Sequence, residues 1–323
     1  MIRQKKESEV ALLSMGMTVW YISKYASPPG SSGGQRGISL AQKFVELGHK
    51  TIVISSHSNH GAVISVADWQ SFGRGFDYAH FFGVTMLLHR TLRYKKTVSL
   101  ARIISWLNFE WGLLRLPVNR LARPTHIIVS SLSLLSVLNG YRLAKKMGAH
   151  LIFEVRDIWP LTLEAELGLR PSNVVIRVLS AIEKFGYERS AVVIGTMPNL
   201  VEHVLGVCSA AVRVETVGLG IDTDLETLSS EYSPPPPSES LIVGYAGSIG
   251  ITNSLGIFLE TARKIGPLKG IEFELWGGGD LLDKFKREYA RDIHIKFHGR
   301  LSREALHAEA TKAHIFFLAT NDS

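Results

Sequence analysis

The stretch SPPGSSGGQRGISLAQKFVELGH, residues 27–49, decides how the chain is expected to fold. It follows an apolar run, TVWYIS (18–23), which predicts a strand, and it ends in a pattern that predicts a helix over 34–47. Glycines between a strand and a helix let the backbone approach a ligand closely, and the start of a helix favours anions. The sequence therefore points first to a phosphate ligand.

Beyond this loop, predicted strands and helices alternate. The further strands are predicted at 51–55, 126–130, 150–155, 191–195 and 212–217. The helices between them are predicted at 131–147, 172–189 and 198–205. This alternation indicates a parallel sheet that is covered by helices on both faces, in which ligands bind at the carboxyl ends of the strands.

A proline-rich segment, SSEYSPPPPSES (229–240), interrupts the alternation and predicts a stiff linker. The alternation then restarts, with strands predicted at LIVGYAG (241–247), IEFELW (271–276), IHIKFHG (293–299) and AHIFFLA (313–319). We predict an α/β protein with two doubly wound, Rossmann-like domains, residues 1–228 and 241–323, that face each other across a cleft.

Composition narrows the class of protein. The 323 residues are 46% apolar and 20% charged, which is typical of a globular chain, and a single cysteine, Cys208, excludes a disulfide framework. Apolar runs are too short to cross a bilayer, and Glu7 and Glu9 interrupt the start before a signal-peptide core forms. We expect a cytoplasmic protein.

The net charge of +7 is concentrated between Met86 and Pro124, where eight Lys or Arg stand against one acid, Glu110. An apolar stripe at helical spacing runs through this segment: Leu100, Ile103, Ile104, Leu107, Trp111 and Leu114. It indicates either a core helix with a basic outer face or a helix that lies on an anionic membrane, and nucleic acid ranks last. For the second alternative, the membrane contacts are predicted to be Arg90, Arg93, Lys95, Lys96, Arg102, Trp106 and Trp111.

Several common sites are excluded. NAD binding requires G-x-G-x-x-G and an acid at the tip of the second strand, where this chain has Ser55 and Ser56, and no P-loop occurs. No metal is expected. His294 and His298 are predicted to share a polar strand face with Lys296, while Ile293 lies on the buried face.

Two strand ends carry candidate functional groups. In LIFEVRDIWPLT (151–162) a buried strand delivers Arg156 and Asp157 to the expected site, either for function or as a salt bridge that pins the loop. In ELWGGGD (274–280) three glycines follow a strand, and Asp280 is expected to cap the next helix. A tight turn needs only one glycine, which favours a ligand there.

These motifs, together with GGQRGISLAQKFVELGHKTIVIS (33–55), VGLGIDTDL (217–225) and VGYAGSIGITNSL (243–255), resemble retaining glycosyltransferases of the GT-B type, family 4. FEVRDIWPLT is similar to the N-acetyl-L-fucosamine transferase-like subgroup of bacterial O-antigen and capsule synthesis. The resemblance implies a nucleotide-sugar donor, expected to be UDP-linked, a lipid-linked or saccharide acceptor and no metal. It also implies a peripheral position on the inner face of the membrane.

The resemblance also implies site residues. Donor-binding positions are Gly33, Gly34, Arg36, Gly247, Ser248, Asn253, Gly277, Gly278, Gly279 and Asp280. Asp157 matches the acid of a catalytic His-Asp pair and Arg156 replaces the histidine. Arginine does not release its proton at working pH, so positioning the acceptor or offsetting phosphate charge is the role expected of Arg156.

One departure concerns the paired-glutamate motif E-x7-E, which the family carries after the fourth strand of its second domain. Between the predicted fourth strand, which ends at residue 319, and Ser323 no such pair occurs, and Glu304 and Glu309 are neither spaced nor placed to replace it. We therefore expect a second domain that is truncated at its carboxyl terminus and impaired activity. The alternative is a non-enzymatic, membrane-associated binding subunit or an inactive truncated product.

Overall fold

The computed structural model describes residues 16–29, 31, 34–59, 62–94, 99–131, 133–208, 211–220, 241–250, 253–266 and 270–318. The chain divides into two compact units, Met1–Gly220 and Ile221–Ser323. The predicted linker, 229–240, lies outside the described residues, as do Gly33, Lys95 and Lys96.

The first unit alternates strands and helices. Its strands are β1 (Thr18–Ile22), β2 (Lys50–Ser56), β3 (Ser58–Asn59), β4 (Ala62–Val63), β5 (Gln70–Gly73), β6 (Phe76–Phe81), β7 (Val84–His89), β8 (His126–Ser130), β9 (His150–Val155), β10 (Val192–Gly195) and β11 (Val214–Thr216). Its helices are α1 (Arg36–Glu46), α2 (Leu100–Leu114), α3 (Ser136–Met147), α4 (Leu161–Leu167), α5 (Val174–Arg189) and α6 (Leu200–Val207).

Within the described residues, one large sheet has the strand order β11-β10-β9-β8-β1-β2-β7-β6-β5. The strands from β11 to β7 pair in parallel, whereas β5, β6 and β7 pair antiparallel. Strand β1 is buried on both faces, with Trp20 and Ile22 in one core cluster and Val19 and Tyr21 in the other. Burial on both faces explains why the central strands read as continuous apolar runs.

Strands β5, β6 and β7 differ from the prediction, which places no strand between residues 55 and 126. Strand β7, VTMLLH, is almost wholly buried, whereas the hairpin of β5 and β6 is partly exposed. Strand β6 has buried Phe76 but exposed His80, and its partner β5 begins with exposed Gln70. Such partly exposed, polar strands lack the apolar run by which the buried strands are recognised. The hairpin extends the sheet beyond β7.

The second unit has the same design on a smaller scale. Its strands are β12 (Leu241–Ala246), β13 (Ile271–Trp276), β14 (Ile295–Gly299) and β15 (Ile315–Phe316), and its helices are α7 (Leu255–Ile265), α8 (Leu282–Glu288) and α9 (Arg303–Ala310). The described strands all pair in parallel, in the order β14-β13-β12-β15. Phe258 and Leu259 of α7 pack against Phe273 and Leu275 of β13 in its core.

Helix α2 spans the predicted amphipathic segment, but its apolar stripe points away from the core. The exposed residues are Leu100, Ile103, Ile104, Leu107, Trp111 and Leu114. The buried side of the helix consists of Ser105, Phe109, Glu110, Gly112 and Leu113. The core-facing interpretation of this stripe is therefore wrong within the described structure.

In the described parts of the chain, no helix combines the length and the apolar character that a bilayer crossing requires.

Candidate functional site

Parallel strands bring their carboxyl ends to one edge of the first sheet, where β8 and β9 deliver Ser131, Arg156 and Asp157. The Ser131 hydroxyl accepts hydrogen bonds from the backbone N–H of Arg156 (2.9 Å) and of Asp157 (3.4 Å). It lies 3.2 Å from the Asp157 carbonyl, to which it donates. Among the described residues no ion pair joins Arg156 to Asp157, so a serine and not a salt bridge pins this loop.

The Asp157 carboxyl has an unusual environment. Although the residue as a whole is exposed, partial burial of its carboxyl raises the pKa, and the positive charges of Arg156 and Arg102 oppose that rise. A carboxyl group with a raised pKa that feels the charge of two guanidinium groups can accept a proton or a hydrogen bond from a ligand hydroxyl.

An aromatic cluster lies beside this carboxylate. The Trp106 indole N–H donates to the Tyr25 hydroxyl at 2.5 Å, and the Arg102 guanidinium lies 4.9 Å from the centre of the Trp106 ring. Trp106 also meets Trp159 edge to face, with ring centres 5.4 Å apart. Trp106 and Arg102 are both half-buried and both donate to the Tyr25 hydroxyl, and their predicted contact with a membrane stays a prediction. In the sequence, both residues lie beside the apolar stripe and not within it, and this offset was the available signal for their partial burial.

Lys24 is a buried cation that sequence reasoning missed. Its ammonium donates to the Ser58 carbonyl at 3.1 Å and lies over the rings of Tyr25 and Tyr94. Loss of water and the positive charge of Arg102 together lower the pKa of Lys24 to about 7, while Glu110 opposes the shift. The signal in the sequence was its position directly after β1, where ligands of parallel sheets collect.

Glu110, the acid within the basic segment, anchors α2 to the molecule. Its carboxylate accepts hydrogen bonds from Ser133 (3.2 Å), Ser136 (2.5 Å) and Asn139 (2.8 Å). Burial raises the pKa of Glu110, and these hydrogen bonds lower it. These polar contacts, together with core packing of Phe109 and Leu113, hold the inner side of α2, and the apolar stripe lies on the outer side.

Arg36, predicted to assist the donor phosphates, is engaged within the first unit. Its Nε donates to the fully buried Glu154 at 2.9 Å, and its two terminal nitrogens donate to the carbonyls of Gly218 (2.8 Å) and Val217 (3.0 Å). Tyr21 donates to the second oxygen of Glu154. Arg36 thus ties β1 and β9 to the end of the first unit, and its contact with phosphates stays a prediction.

Gly34 permits a close backbone approach in the first loop. Its φ is +55°, and a Cβ there would lie 1.9 Å from the Tyr25 carbonyl oxygen. The backbone N–H of Ser27 donates to the Gly34 carbonyl at 3.2 Å. The loop is therefore folded against the segment that carries Lys24, and its contact with phosphate stays a prediction.

In the second unit, the loop after β12 is braced from within. The Ser248 carbonyl accepts hydrogen bonds from the Tyr245 hydroxyl (2.8 Å) and from the Asn253 side-chain amide (2.7 Å). The Gly247 N–H donates to the Trp276 carbonyl at 3.0 Å. Asn253 therefore shapes the loop, and its predicted contact with the donor stays a prediction.

The glycine triplet after β13 lets two loops pack backbone to backbone. A Cβ at Gly277, whose φ is +149°, would lie 1.8 Å from the Gly247 carbonyl oxygen. A Cβ at Gly279 would lie 2.3 Å from the Ile249 carbonyl oxygen. Loop packing thus explains these two glycines without a ligand, whereas Gly278 instead faces the side chain of Arg300.

Asp280 does not cap the helix that follows, so that prediction is wrong. The N-cap of α8 is Leu281, without a side-chain hydrogen bond, and the Leu281 N–H donates to the Ile249 carbonyl at 3.1 Å. The helix therefore begins at Leu282, one residue later than a cap at Asp280 would give. Asp280 is exposed at the edge of the sheet.

The predicted strand face of His294 and His298 holds only in part. Strand β14 begins at Ile295, where alternation starts, so Lys296 and His298 are exposed while Ile295 is buried. Ile293, predicted to be buried, is 90% exposed. The His294 ring instead lies 3.1 Å from the Ala262 carbonyl of α7. Among the described residues no group of three or more potential metal ligands occurs.

By sequence, the chain matches no protein-family model and no curated protein. Its structure is similar to sucrose-phosphate synthase from Thermosynechococcus elongatus, with a TM-score of 0.66, 13% identity and coverage of 93% of this chain and 74% of that one. The catalytic domain of Starch Synthase IV from Arabidopsis thaliana gives a TM-score of 0.66 at 12% identity, covering 94% and 78%. Anabaena Alr3699/HepE gives 0.60 at 11% identity, covering 94% and 74%.

These solved structures are GT-B glycosyltransferases. The chain has the GT-B fold. The predicted α/β class with Rossmann-like domains is confirmed. At 11–13% identity the similarity establishes the fold alone.

We expect Gly277→Ala to destabilise the second unit by about 2–4 kcal/mol, since the added methyl group meets the Gly247 carbonyl and the backbone is unsuited to alanine. Gly256→Ala is the control, because a Cβ at this helical position meets nothing within 4 Å. The control should leave stability unchanged or raise it by up to about 1 kcal/mol. Urea unfolding of both variants measures the difference, and equal midpoints would contradict the loop contact.

Glu154→Ala should destabilise the first unit by about 3–5 kcal/mol, because it leaves the Arg36 guanidinium buried without its carboxylate. The matched control is Glu215→Ala, which breaks an exposed 2.9 Å pair with Arg213 and should cost less than about 1 kcal/mol. Urea unfolding measures both. A loss for Glu154→Ala no larger than that of the control would contradict the role of this pair.

Proposed function

We propose that the chain is a retaining, family 4-like glycosyltransferase that moves a sugar from a UDP-linked donor to a lipid-linked or saccharide acceptor in the synthesis of bacterial surface polysaccharide. The observation that carries the proposal is the GT-B fold over nearly the whole chain. The choice of UDP is supported by Anabaena Alr3699/HepE, a structural neighbour that was solved with UDP and with UDP-glucose.

The donor belongs, in this proposal, to the second unit. The loops after β12 and β13 meet at the carboxyl edge of the sheet, where parallel α/β sheets bind ligands. The departing nucleoside diphosphate gains negative charge in the transition state, so positive groups and backbone N–H groups aimed at it accelerate the transfer. No metal takes part in the proposed reaction.

The acceptor belongs to the first unit, at Asp157. Its carboxylate accepts the proton of the acceptor hydroxyl as the new glycosidic bond forms, while Arg156 stabilises negative charge and orients the acceptor. Support comes from the direction of the Asp157 pKa shift and from the two guanidinium groups that act on it. Trp159, beside Trp106, offers an aromatic face of the kind against which apolar sugar faces pack.

Helix α2 gives the proposed enzyme a surface for an anionic membrane. Its outward stripe includes Leu107 and Trp111, both more than half exposed, and Arg115 lies near the Trp111 ring. Arg93 adds an exposed charge nearby, whereas the charge of Arg90 is balanced by Asp77, at 2.6 Å. An apolar stripe with flanking basic groups binds anionic lipid surfaces. These features support the proposed peripheral position on the inner face of the membrane.

The donor site is tested first by binding. UDP should raise the melting temperature of the purified chain, and a UDP-sugar should give transfer to a lipid-linked or saccharide acceptor. Asp157→Asn should lower the transfer rate by about 10²–10⁴-fold and leave UDP affinity within about twofold, because the carboxylate acts on the acceptor.

The control for this experiment is Asp68→Asn, at an exposed aspartate in another part of the first unit, which should leave the rate unchanged. A chain that UDP does not stabilise and that transfers no sugar would instead be the non-enzymatic binding subunit or inactive product.

Membrane binding is tested with vesicles of phosphatidylglycerol and phosphatidylcholine. Leu107→Glu places a charge in the stripe and should weaken sedimentation with the vesicles by about 10-fold or more, since one buried leucine contributes about 1.5–3 kcal/mol. Leu205→Glu is the matched control, because this leucine of α6 has nearly the same exposure, 56% against 54%. Equal binding of the two variants would contradict the assignment of α2.

A further inference from the structure

Arg300 is a positive side chain with no partner in the described structure. It directly follows β14, at the carboxyl edge of the second sheet, and it is exposed. No hydrogen bond or ion pair to its guanidinium occurs among the described residues, unlike Arg263, which bonds to Asp292 and Glu260.

The position of Arg300 is set by its neighbouring loop. The side chain lies along Gly278, where an added Cβ would come within 2.6 Å of the Arg300 Nε and 2.8 Å of its Cγ. Gly277 and Gly279 make room for backbone carbonyls, whereas Gly278 makes room for the Arg300 side chain. Any larger residue at 278 would push the guanidinium away.

The two loops that meet at this edge of the second sheet, after β12 and after β13, offer no basic side chain for a diphosphate. The loop after β12, residues 247–254, reads GSIGITNS and contains no Lys or Arg. The loop after β13 contributes an acid, Asp280. A diphosphate at this edge therefore needs a positive group from the end of β14, where Arg300 stands.

We propose that Arg300 binds the diphosphate of the nucleotide donor, a role that the sequence motifs did not assign to any basic residue of the second unit. The inference rests on the proposed function of the chain. Arginine suits the role because its planar guanidinium donates two parallel hydrogen bonds to phosphate oxygens and stays charged at every working pH.

The test compares UDP with uridine, which has the same base and ribose but no phosphate. Arg300→Gln should weaken UDP binding by about 10- to 100-fold, the range for a charge-assisted hydrogen bond, and leave uridine binding unchanged within about twofold. Calorimetry measures UDP affinity, and ligand-observed NMR measures the weaker binding of uridine. Arg287→Gln is the control, since Arg287 is exposed in the last turn of α8.

A second variant, Gly278→Ala, keeps the arginine but displaces its side chain. It should also weaken UDP binding, and the double variant should be no weaker than Arg300→Gln alone, because both changes remove the same contact. Circular dichroism and the melting temperature show whether each variant is folded.

The outcomes separate the two proposals. If the wild-type chain binds UDP and Arg300→Gln binds it equally well, the role of Arg300 is overturned while the donor site stands. Equal losses of UDP and uridine affinity would place Arg300 at the base or ribose and would also overturn the inference. If the wild-type chain does not bind UDP, the proposed function fails and the inference fails with it.

Discussion

Both units depend on one constraint, the parallel pairing of their central strands. Parallel strands end at the same edge of a sheet, so loops that are distant in the sequence become neighbours there. In the second unit this brings the loop after β12 against the loop after β13, and the contact is so close that Gly277 and Gly279 leave no room for a Cβ. In the first unit the same constraint places Lys24, Ser131 and Asp157 at strand ends.

The first unit stabilises its edge with buried polar contacts. Buried Glu154 accepts hydrogen bonds from Arg36 and Tyr21. Arg36 in turn donates to the backbone carbonyls of Val217 and Gly218. A buried carboxylate of this kind requires its partners, because an unpaired charge in the interior is costly. The network therefore joins strands β1 and β9, the first helix and the segment that follows β11.

The sequence predicted strands β1, β2, β8, β9 and β10 and most helices, because strands that are buried on both faces read as apolar runs. Strand β7 was not predicted, although it is buried. The β5–β6 hairpin escaped prediction because its strands are partly exposed and polar. Helix α2 shows a different limit: its bounds were predictable, but not which side is buried. Glu110 is stabilised by Ser136 and Asn139 of another helix, and a single sequence does not reveal such pairing across long separations.

The candidate site was predictable where it depends on strand ends, as for Arg156 and Asp157. It was not predictable where a side chain reaches a neighbouring loop, as for Arg300 over Gly278.

The most direct measurement of the central claim is a crystal structure of the chain with UDP. The account predicts the diphosphate at the loops after β12 and β13 of the second unit. Nucleotide bound elsewhere, or no nucleotide in crystals grown with saturating UDP, would contradict it.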